Sequence, residues 1–327
     1  MENKATLSNL KNTNSPLVSV CMITYGHEKY IEEAINSVLM QECNFEFELI
    51  ISNDCSPDKT DFVIQTILKT HPKAHCIKYF NQQKNLGMMP NSIFVLEKSQ
   101  GDYIAVCEGD DFWTDKLKLQ KQVDFFKKNK QCSLCFHNAT IYDEFTNQSK
   151  MFVQEYHKKF YTGTDILERW LIPSASMMFV NVLKEKKLPH FFATAMHGDL
   201  ALQLILFEYG TFGLINENMC TYRLNESSAT RTLFYKLEYK YAHIAQLKEM
   251  KTYFKGKYNR FFDQSIINQY RNIISHYKTT YLRRQSFILL KMMTFELLAI
   301  KKYHKEIWES FKIFIHNVLD RVNGRTT

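Results

Sequence analysis

The chain is poor in the residues that loosen or break a fold: 10 Gly and 6 Pro in 327 positions. No segment is polar or repetitive enough to suggest long-range disorder, and no internal repeat is present. Both glycine-rich phosphate grips are missing, G-x-G-x-x-G as well as G-x-x-x-x-G-K-[ST], so any phosphate ligand must be held by other means. Membrane-length apolar runs are missing too. The most apolar stretch, SFILLKMMTFELLAI, is 15 residues long and carries Lys291 and Glu296, too short and too charged to span a bilayer. Residues 1–15 are polar without an apolar centre, which predicts a loose tail rather than a signal peptide. Without an export signal, the eight scattered cysteines read as core thiols in a reduced, cytoplasmic setting, not as a disulfide framework. Cys132 and Cys135 form a C-x-x-C, but no second pair or suitably spaced histidine accompanies it, so zinc is not expected there. His71 and His75 are separated by Pro72, which breaks the helix that would align them.

What is present is an ordinary globular composition, 45% hydrophobic and 23% charged, long enough for two or three domains. The net charge of +8 is unevenly spread. From residue 230 onward there are 19 Lys and Arg against 7 Asp and Glu, while the rest carries 23 against 27. A near-neutral body is followed by a strongly basic piece.

Along the body, short apolar runs alternate with helical patterns. VSVCMITY, FELIISND, CIKYFNQ and DYIAVCE read as strands. Between and after them EKYIEEAINSVLMQ, residues 59–70, NSIFVLEKS and TDKLKLQKQVDFFKK read as helices, the last with Thr114 as its cap. Strands that are apolar throughout and alternate with helices predict an α/β fold, Rossmann-like, with a mostly parallel central sheet covered on both faces. Ligands of such sheets bind beyond the carboxyl ends of the strands. The polar signals gather there: Thr24-Tyr25-Gly26-His27-Glu28, Asn53-Asp54 and Glu108-Gly109-Asp110-Asp111. Carboxylates this close repel one another unless a cation joins them. Mg²⁺ and Mn²⁺ favour oxygen ligands, commonly one or two protein carboxylates with phosphate and water completing the shell.

The order of PLVSVCMITYGHEKYIEEAINSVLMQ, FELIISNDCSPDKT, NLGMMPNSI and GDYIAVCEGDDFWTDKLKLQKQ resembles the family 2 glycosyltransferases of the GT-A fold, of the kind that build bacterial cell-surface polysaccharides. The resemblance covers residues 16–230. It implies a nucleotide-sugar donor, most often a UDP-sugar, bound with Mg²⁺ or Mn²⁺. It carries donor-binding roles onto Tyr25, Glu28, Asp54, Asn85, Gly87, Glu108 and Asp110, and metal binding onto Asp110 and Asp111, without deciding which of those two acids takes metal and which takes ribose. The sequence departs from the family pattern at Asn53, where an acid is usual, at Ser92 and Ile93, where an Arg-Asn pair is usual, and at Glu108, where Asp is commoner.

Beyond residue 130 the pattern becomes irregular. IPSASMMFV predicts a strand returning to the sheet, and AMHGDLALQLILFEYG a helix preceded by Gly198-Asp199. The latter resembles the family's acidic pair, whose final acid is the catalytic base. With Gly198 in the first place, Asp199 is the carboxylate left for that role, although its position also suits a helix cap. An acceptor hydroxyl needs such a group to take its proton as the new bond forms, and direct displacement then inverts the anomeric centre. His197 reads as a partly buried histidine without a catalytic role. MCTYRLNESSAT resembles the segment that closes over the diphosphate, which assigns Arg223 to phosphate and leaves Asn225 where a metal-binding histidine often sits, with no metal ligation expected of it.

The expected organisation is therefore a tail (1–15), a nucleotide-sugar-binding half (16–130), an acceptor half (131–230) and a basic helical C-terminal region (231–327). That last region is expected to pack on the catalytic body. A sharper reading rests its basic surface on anionic lipid near a lipid-linked glycan acceptor, on the cytosolic face of the membrane, and its helices also offer a surface for self-association. No nucleic-acid motif accompanies the charge. The runner-up enzyme, a nucleotidyltransferase, calls for a glycine-rich loop that is missing. A non-catalytic nucleotide-sugar-binding or scaffold protein has no need of Asp110, Asp111 and Asp199 together.

Overall fold

The computed structural model describes residues 16–226, 228 and 236–284. The proposed N-terminal tail and the SFILLKMMTFELLAI stretch lie outside them. The chain divides into two compact units, residues 1–226 and 227–327.

The first unit opens with β1 (Val18–Thr24), α1 (Ile31–Leu39), β2 (Phe47–Asn53), α2 (Thr60–Thr70), β3 (Ile77–Asn81), α3 (Met88–Lys98) and β4 (Tyr103–Val106). There follow β5 (Phe112–Trp113), α4 (Lys118–Lys128), β6 (Cys132–Asp143), β7 (Gln148–Met151), β8 (Phe160–Tyr161) and α5 (Gly163–Glu168). It closes with β9 (Met178–Val180), α6 (Gly198–Leu206) and β10 (Thr211–Leu224). One sheet runs in the order β3-β2-β1-β4-β9-β6-β10-β5, with β7 on β6 and β8 on β10. The first four strands are parallel, as the apolar runs predict. β9 then pairs antiparallel with both β4 and β6, so the sheet changes character where the second half begins.

Alternation along β1 explains the layers. Val18, Val20 and Met22 join Ala34, Ile35 and Val38 of α1, Ile64 of α2 and Leu119 and Val123 of α4 in one core. On the opposite face Cys21 lies against α3, its thiol directed at the Val95 carbonyl. Each such buried aliphatic side chain contributes about 1.5–3 kcal/mol. All eight cysteines are free thiols, and Cys132 and Cys135 are buried core residues.

Three local expectations are corrected. α4 begins at Lys118, not at Thr114, because Phe112–Trp113 pair with β10 and the Thr114 N–H donates to the Met219 carbonyl, which keeps the chain extended. Asp115 instead takes the Leu117 N–H at 2.8 Å. Of IPSASMMFV only Met178–Val180 is strand; after Pro173 the chain makes a 3-10 turn, with the Ser176 hydroxyl donating to the Pro173 carbonyl. α3 starts three residues before Asn91, with Pro90 in its first turn, where no N–H is needed.

In the second unit α7 (Leu237–Tyr253) and α8 (Asn259–Arg284) pack against each other across a short turn. Phe254, Tyr258 and Phe262 cluster at that turn. A cavity of about 520 Å³ between the helices is lined by Lys248, Lys251, Lys255, Asp263 and Tyr270 among others. Among the described residues no helix is long and apolar enough to cross a membrane.

Candidate active site

Thr24 stands at the centre of the strand ends. Its carbonyl takes the Asp54 N–H at 2.9 Å, and one residue earlier the Ile23 carbonyl takes the Gly109 N–H at 3.0 Å. The second-strand acid and the acidic segment after β4 therefore flank the same residue. A Cβ at position 109 would sit 2.7 Å from the Thr24 side chain and 3.0 Å from His27 Nδ1, so only glycine fits between Glu108 and Asp110.

The three acids after β4 differ sharply in setting. Asp111 is 1% exposed. Its Oδ1 accepts the Arg223 N–H of β10 at 2.9 Å, and its Oδ2 is buried with no hydrogen-bond partner. Burial, then Asp110 and Glu108, hold its carboxyl well above the usual range. Asp110 faces the cleft; Asn225 Nδ2 donates to its Oδ2 at 3.0 Å, and His27 Nε2 lies 3.9 Å from the same oxygen. Burial, with help from Asp110 and Asp199, pushes the Glu108 carboxyl up to about 8. The field of Asp199 at Glu108 shows that the predicted base, 91 residues further on, has come to the same cleft.

Asp199 lies in the first turn of α6, with His197 at the cap position. Its Oδ2 accepts the Trp170 indole N–H at 3.3 Å. Gly198 packs against the end of the Met89 side chain of α3: a Cβ there would lie 2.5 Å from its sulfur, so a larger residue requires that side chain to move.

A second group forms around Asp54, whose two oxygens accept the N–H groups of Leu86 (2.7 Å) and Gly87 (2.9 Å). Asn85 Oδ1 also accepts the Gly87 N–H, and Gly87 has φ of 91°, a conformation that favours glycine. The N-L-G turn is thus tied to the end of β2. Asn53 braces the neighbouring turn through Ser56 and Tyr79. Tyr25 is 47% exposed at the rim. Glu28 accepts the Lys59 N–H at 2.9 Å and so joins the first loop to the start of α2. Arg223, whose N–H meets Asp111, packs its guanidinium 4.8 Å from the Tyr30 ring and 4.9 Å from the Phe112 ring, bonded to Glu33 at 2.6 Å with Glu144 at 3.7 Å.

His27, Trp170 and the hydrogen bond of Asn225 to Asp110 were not singled out from the sequence. His27 stood within the polar end of β1, a usable signal; Trp170 follows an irregular stretch and carries none.

Among the described residues no three His, Cys, Asp or Glu side chains form a metal cage on their own. The donor set nonetheless fits a divalent cation that brings a diphosphate with it. Asp110 keeps part of its side chain exposed, Glu108 is pushed toward neutrality by burial and then by Asp110 and Asp199, and the buried Asp111 Oδ2 lacks a hydrogen-bond partner. A shell of one or two carboxylates is what Mg²⁺ and Mn²⁺ commonly take beside phosphate.

The chain is similar in sequence and in fold to known proteins. An uncharacterized protein of Mycobacterium tuberculosis is 30% identical over 206 residues, 63% of this chain and 58% of its own length. The putative teichuronic acid biosynthesis glycosyltransferase TuaG of Bacillus subtilis is 29% identical over 216 residues, 65% of this chain and 81% of its own. In fold, the crystal structure of S. aureus TarS 1-349 in complex with UDP-GlcNAc superposes with a TM-score of 0.61 at 14% identity, over 84% of this chain and 78% of that one. The mannosyltransferase PcManGT from Pyrobaculum calidifontis in complex with GDP-Man and Mn²⁺ gives 0.53 at 11% identity, over 96% and 89%. These likenesses bear out the GT-A α/β fold. The profile of glycosyl transferase family 2 matches residues 19–185, more than half of the chain, and the protein belongs to that family.

Proposed function

We propose that the protein is an inverting glycosyltransferase that moves a sugar from a nucleotide-sugar, with a UDP-sugar as first choice, to a hydroxyl of a cell-surface glycan or lipid-linked acceptor. The observation that supports this reading is the convergence of Asp199 with Glu108 and Asp110, acids from two distant segments: burial first, then Asp110 and Asp199, push the Glu108 carboxyl up to about 8. The names of TuaG, of TarS with UDP-GlcNAc, and of PcManGT with GDP-Man and Mn²⁺ support a nucleotide-sugar donor and a divalent cation.

On this reading Asp110 and Asp111 between them would hold Mg²⁺ or Mn²⁺ and meet the ribose, with Glu108 beside them as polar support, while the other Asp111 oxygen ties the segment to β10 through the Arg223 N–H. The cation supplies charge neutralisation for the departing diphosphate. Tyr25, Glu28 and the turn held by Asp54 (Asn85, Gly87) border the nucleoside. Asp199 accepts the proton of the acceptor hydroxyl as that oxygen attacks the anomeric carbon from the side opposite the diphosphate. A phosphate contact by Arg223 requires its guanidinium to leave Glu33 and Glu144.

Asp199→Asn tests the base. The variant should lose transfer while keeping metal-dependent UDP binding by calorimetry, and wild-type turnover would remove Asp199 from the mechanism.

A further inference from the structure

Trp170 is 56% exposed, an unusual state for so large an apolar side chain. Its surroundings hold it in place. The Tyr156 hydroxyl donates to the Leu171 carbonyl at 2.7 Å, and Ile172 is fully buried, so the chain is anchored on the far side of the indole. Phe152 (5.0 Å between centroids) and Tyr222 (6.4 Å) meet the ring nearly at right angles, which fixes its tilt. A second edge-on contact joins Phe152 to Tyr222 at 6.4 Å and closes the trio. The indole N–H is directed at Asp199 Oδ2.

We propose that Trp170 is the acceptor platform: its open surface receives the C–H face of a pyranose ring, and its N–H sets the position of Asp199 against the hydroxyl of that same ring. This rests on Asp199 being the base. A pyranose presents weakly positive C–H groups on its faces and hydroxyls at its rim. The electron-rich face of an indole complements the former and a carboxylate the latter. Here one side chain touches both requirements, because the ring that stacks on the sugar also donates to the carboxylate that deprotonates it. The acceptor class is therefore a terminal pyranoside, in preference to an open-chain alditol phosphate, which has no C–H face to stack.

Two substitutions separate the roles. Trp170→Phe keeps an aromatic face and removes the N–H; Trp170→Leu removes both. Saturation-transfer NMR on the full chain with Mg²⁺ and UDP uses methyl glycosides of glucose, N-acetylglucosamine, galactose and mannose, with ribitol 5-phosphate for comparison. Wild type, Trp170→Phe and Asp199→Asn should transfer saturation to the ring C–H protons of at least one pyranoside, and Trp170→Leu should not. In transfer assays with that pyranoside, Trp170→Leu should raise the acceptor KM about two- to tenfold, the loss of one aromatic stacking contact. Trp170→Phe should hold KM and lower kcat. The melting temperature of Trp170→Phe, which keeps an aromatic ring against Phe152 and Tyr222, should stay near that of wild type. Unaltered pyranoside binding by Trp170→Leu, or saturation reaching ribitol 5-phosphate and no pyranoside, overturns the proposal. Full turnover by Asp199→Asn with pyranoside binding still dependent on Trp170 overturns the base and leaves the platform standing.

Discussion

Replacing Glu108 by glutamine should stabilise the metal-free protein at neutral pH while weakening its hold on a cation. The reason is a count of protons. In the folded chain burial first, then Asp110 and Asp199, push the Glu108 carboxyl from an ordinary 4.5 up to about 8. Between those values the folded state keeps a proton that the unfolded chain has released. Stability therefore falls as pH rises from about 4.5 to 8, and this contribution is flat on either side. At pH 7 the distance from 4.5, at 1.36 kcal/mol per unit, comes to about 3 kcal/mol, and partial exposure of the side chain reduces it to about 2 kcal/mol. Glutamine keeps the shape and has no proton to lose. In urea unfolding followed by near-UV circular dichroism in EDTA, Glu108→Gln should exceed wild type by about 2 kcal/mol at pH 7 and by nothing at pH 4.5. Adding Mn²⁺ with UDP should reverse the order, since the wild-type carboxylate gains a counter-charge and the amide does not. The same stability difference at both pH values would refute the like-charge account of the cleft.

Asp54→Ala removes the acceptor of two backbone N–H groups and should cost about 3 kcal/mol, seen as a lowered thermal midpoint, together with loss of UDP affinity in titration calorimetry. An unchanged midpoint would mean that the N-L-G turn holds itself. Lys118, fully buried, donates to Gln122 at 2.8 Å and sits 3.9 Å from the Trp113 ring. Burial lowers its amine to about 8, against the pull of Cys220, Cys107 and Cys135. Above pH 8 the folded amine is neutral while the unfolded one stays charged up to 10.5, so this residue adds stability as pH rises through that window. The stability of wild type relative to Lys118→Met should therefore grow by about 2 kcal/mol between pH 7.5 and 9.5 in urea titrations, thiol contributions being common to both. A pH-independent difference would contradict it.

The first half of the fold was legible because its signals are local. Each of β1 to β4 is a short apolar run closed by polar residues, and α1 carries its buried positions at helical spacing. The acids at the strand ends were legible for the same reason. What escaped depends on partners far away in the chain. Phe112–Trp113 become a strand only because β10 arrives beside them, and this moved the start of α4 from Thr114 to Lys118. The surroundings of Arg223 were hidden in the same way, since nothing near it in sequence announces Glu33, Glu144, Tyr30 or Phe112. Trp170 lies after a two-residue strand and a short helix, where neither period applies, so its bond to Asp199 had no antecedent in the pattern.

The hydrogen bond from the Arg223 amide to Asp111 spans 112 residues. Asn225 reaches Asp110 across a similar distance. The acidic segment is therefore finished by the last strand of the unit to leave the ribosome, and a nascent chain ending before β10 has the acids without their bracing. Contacts of such separation are the slow ones to form, because a long loop must close before they repay it. If the proposed function holds, binding of a nucleotide-sugar reports completion of the whole first unit rather than of its first strands alone, and ligand recovery should follow the slowest phase of refolding.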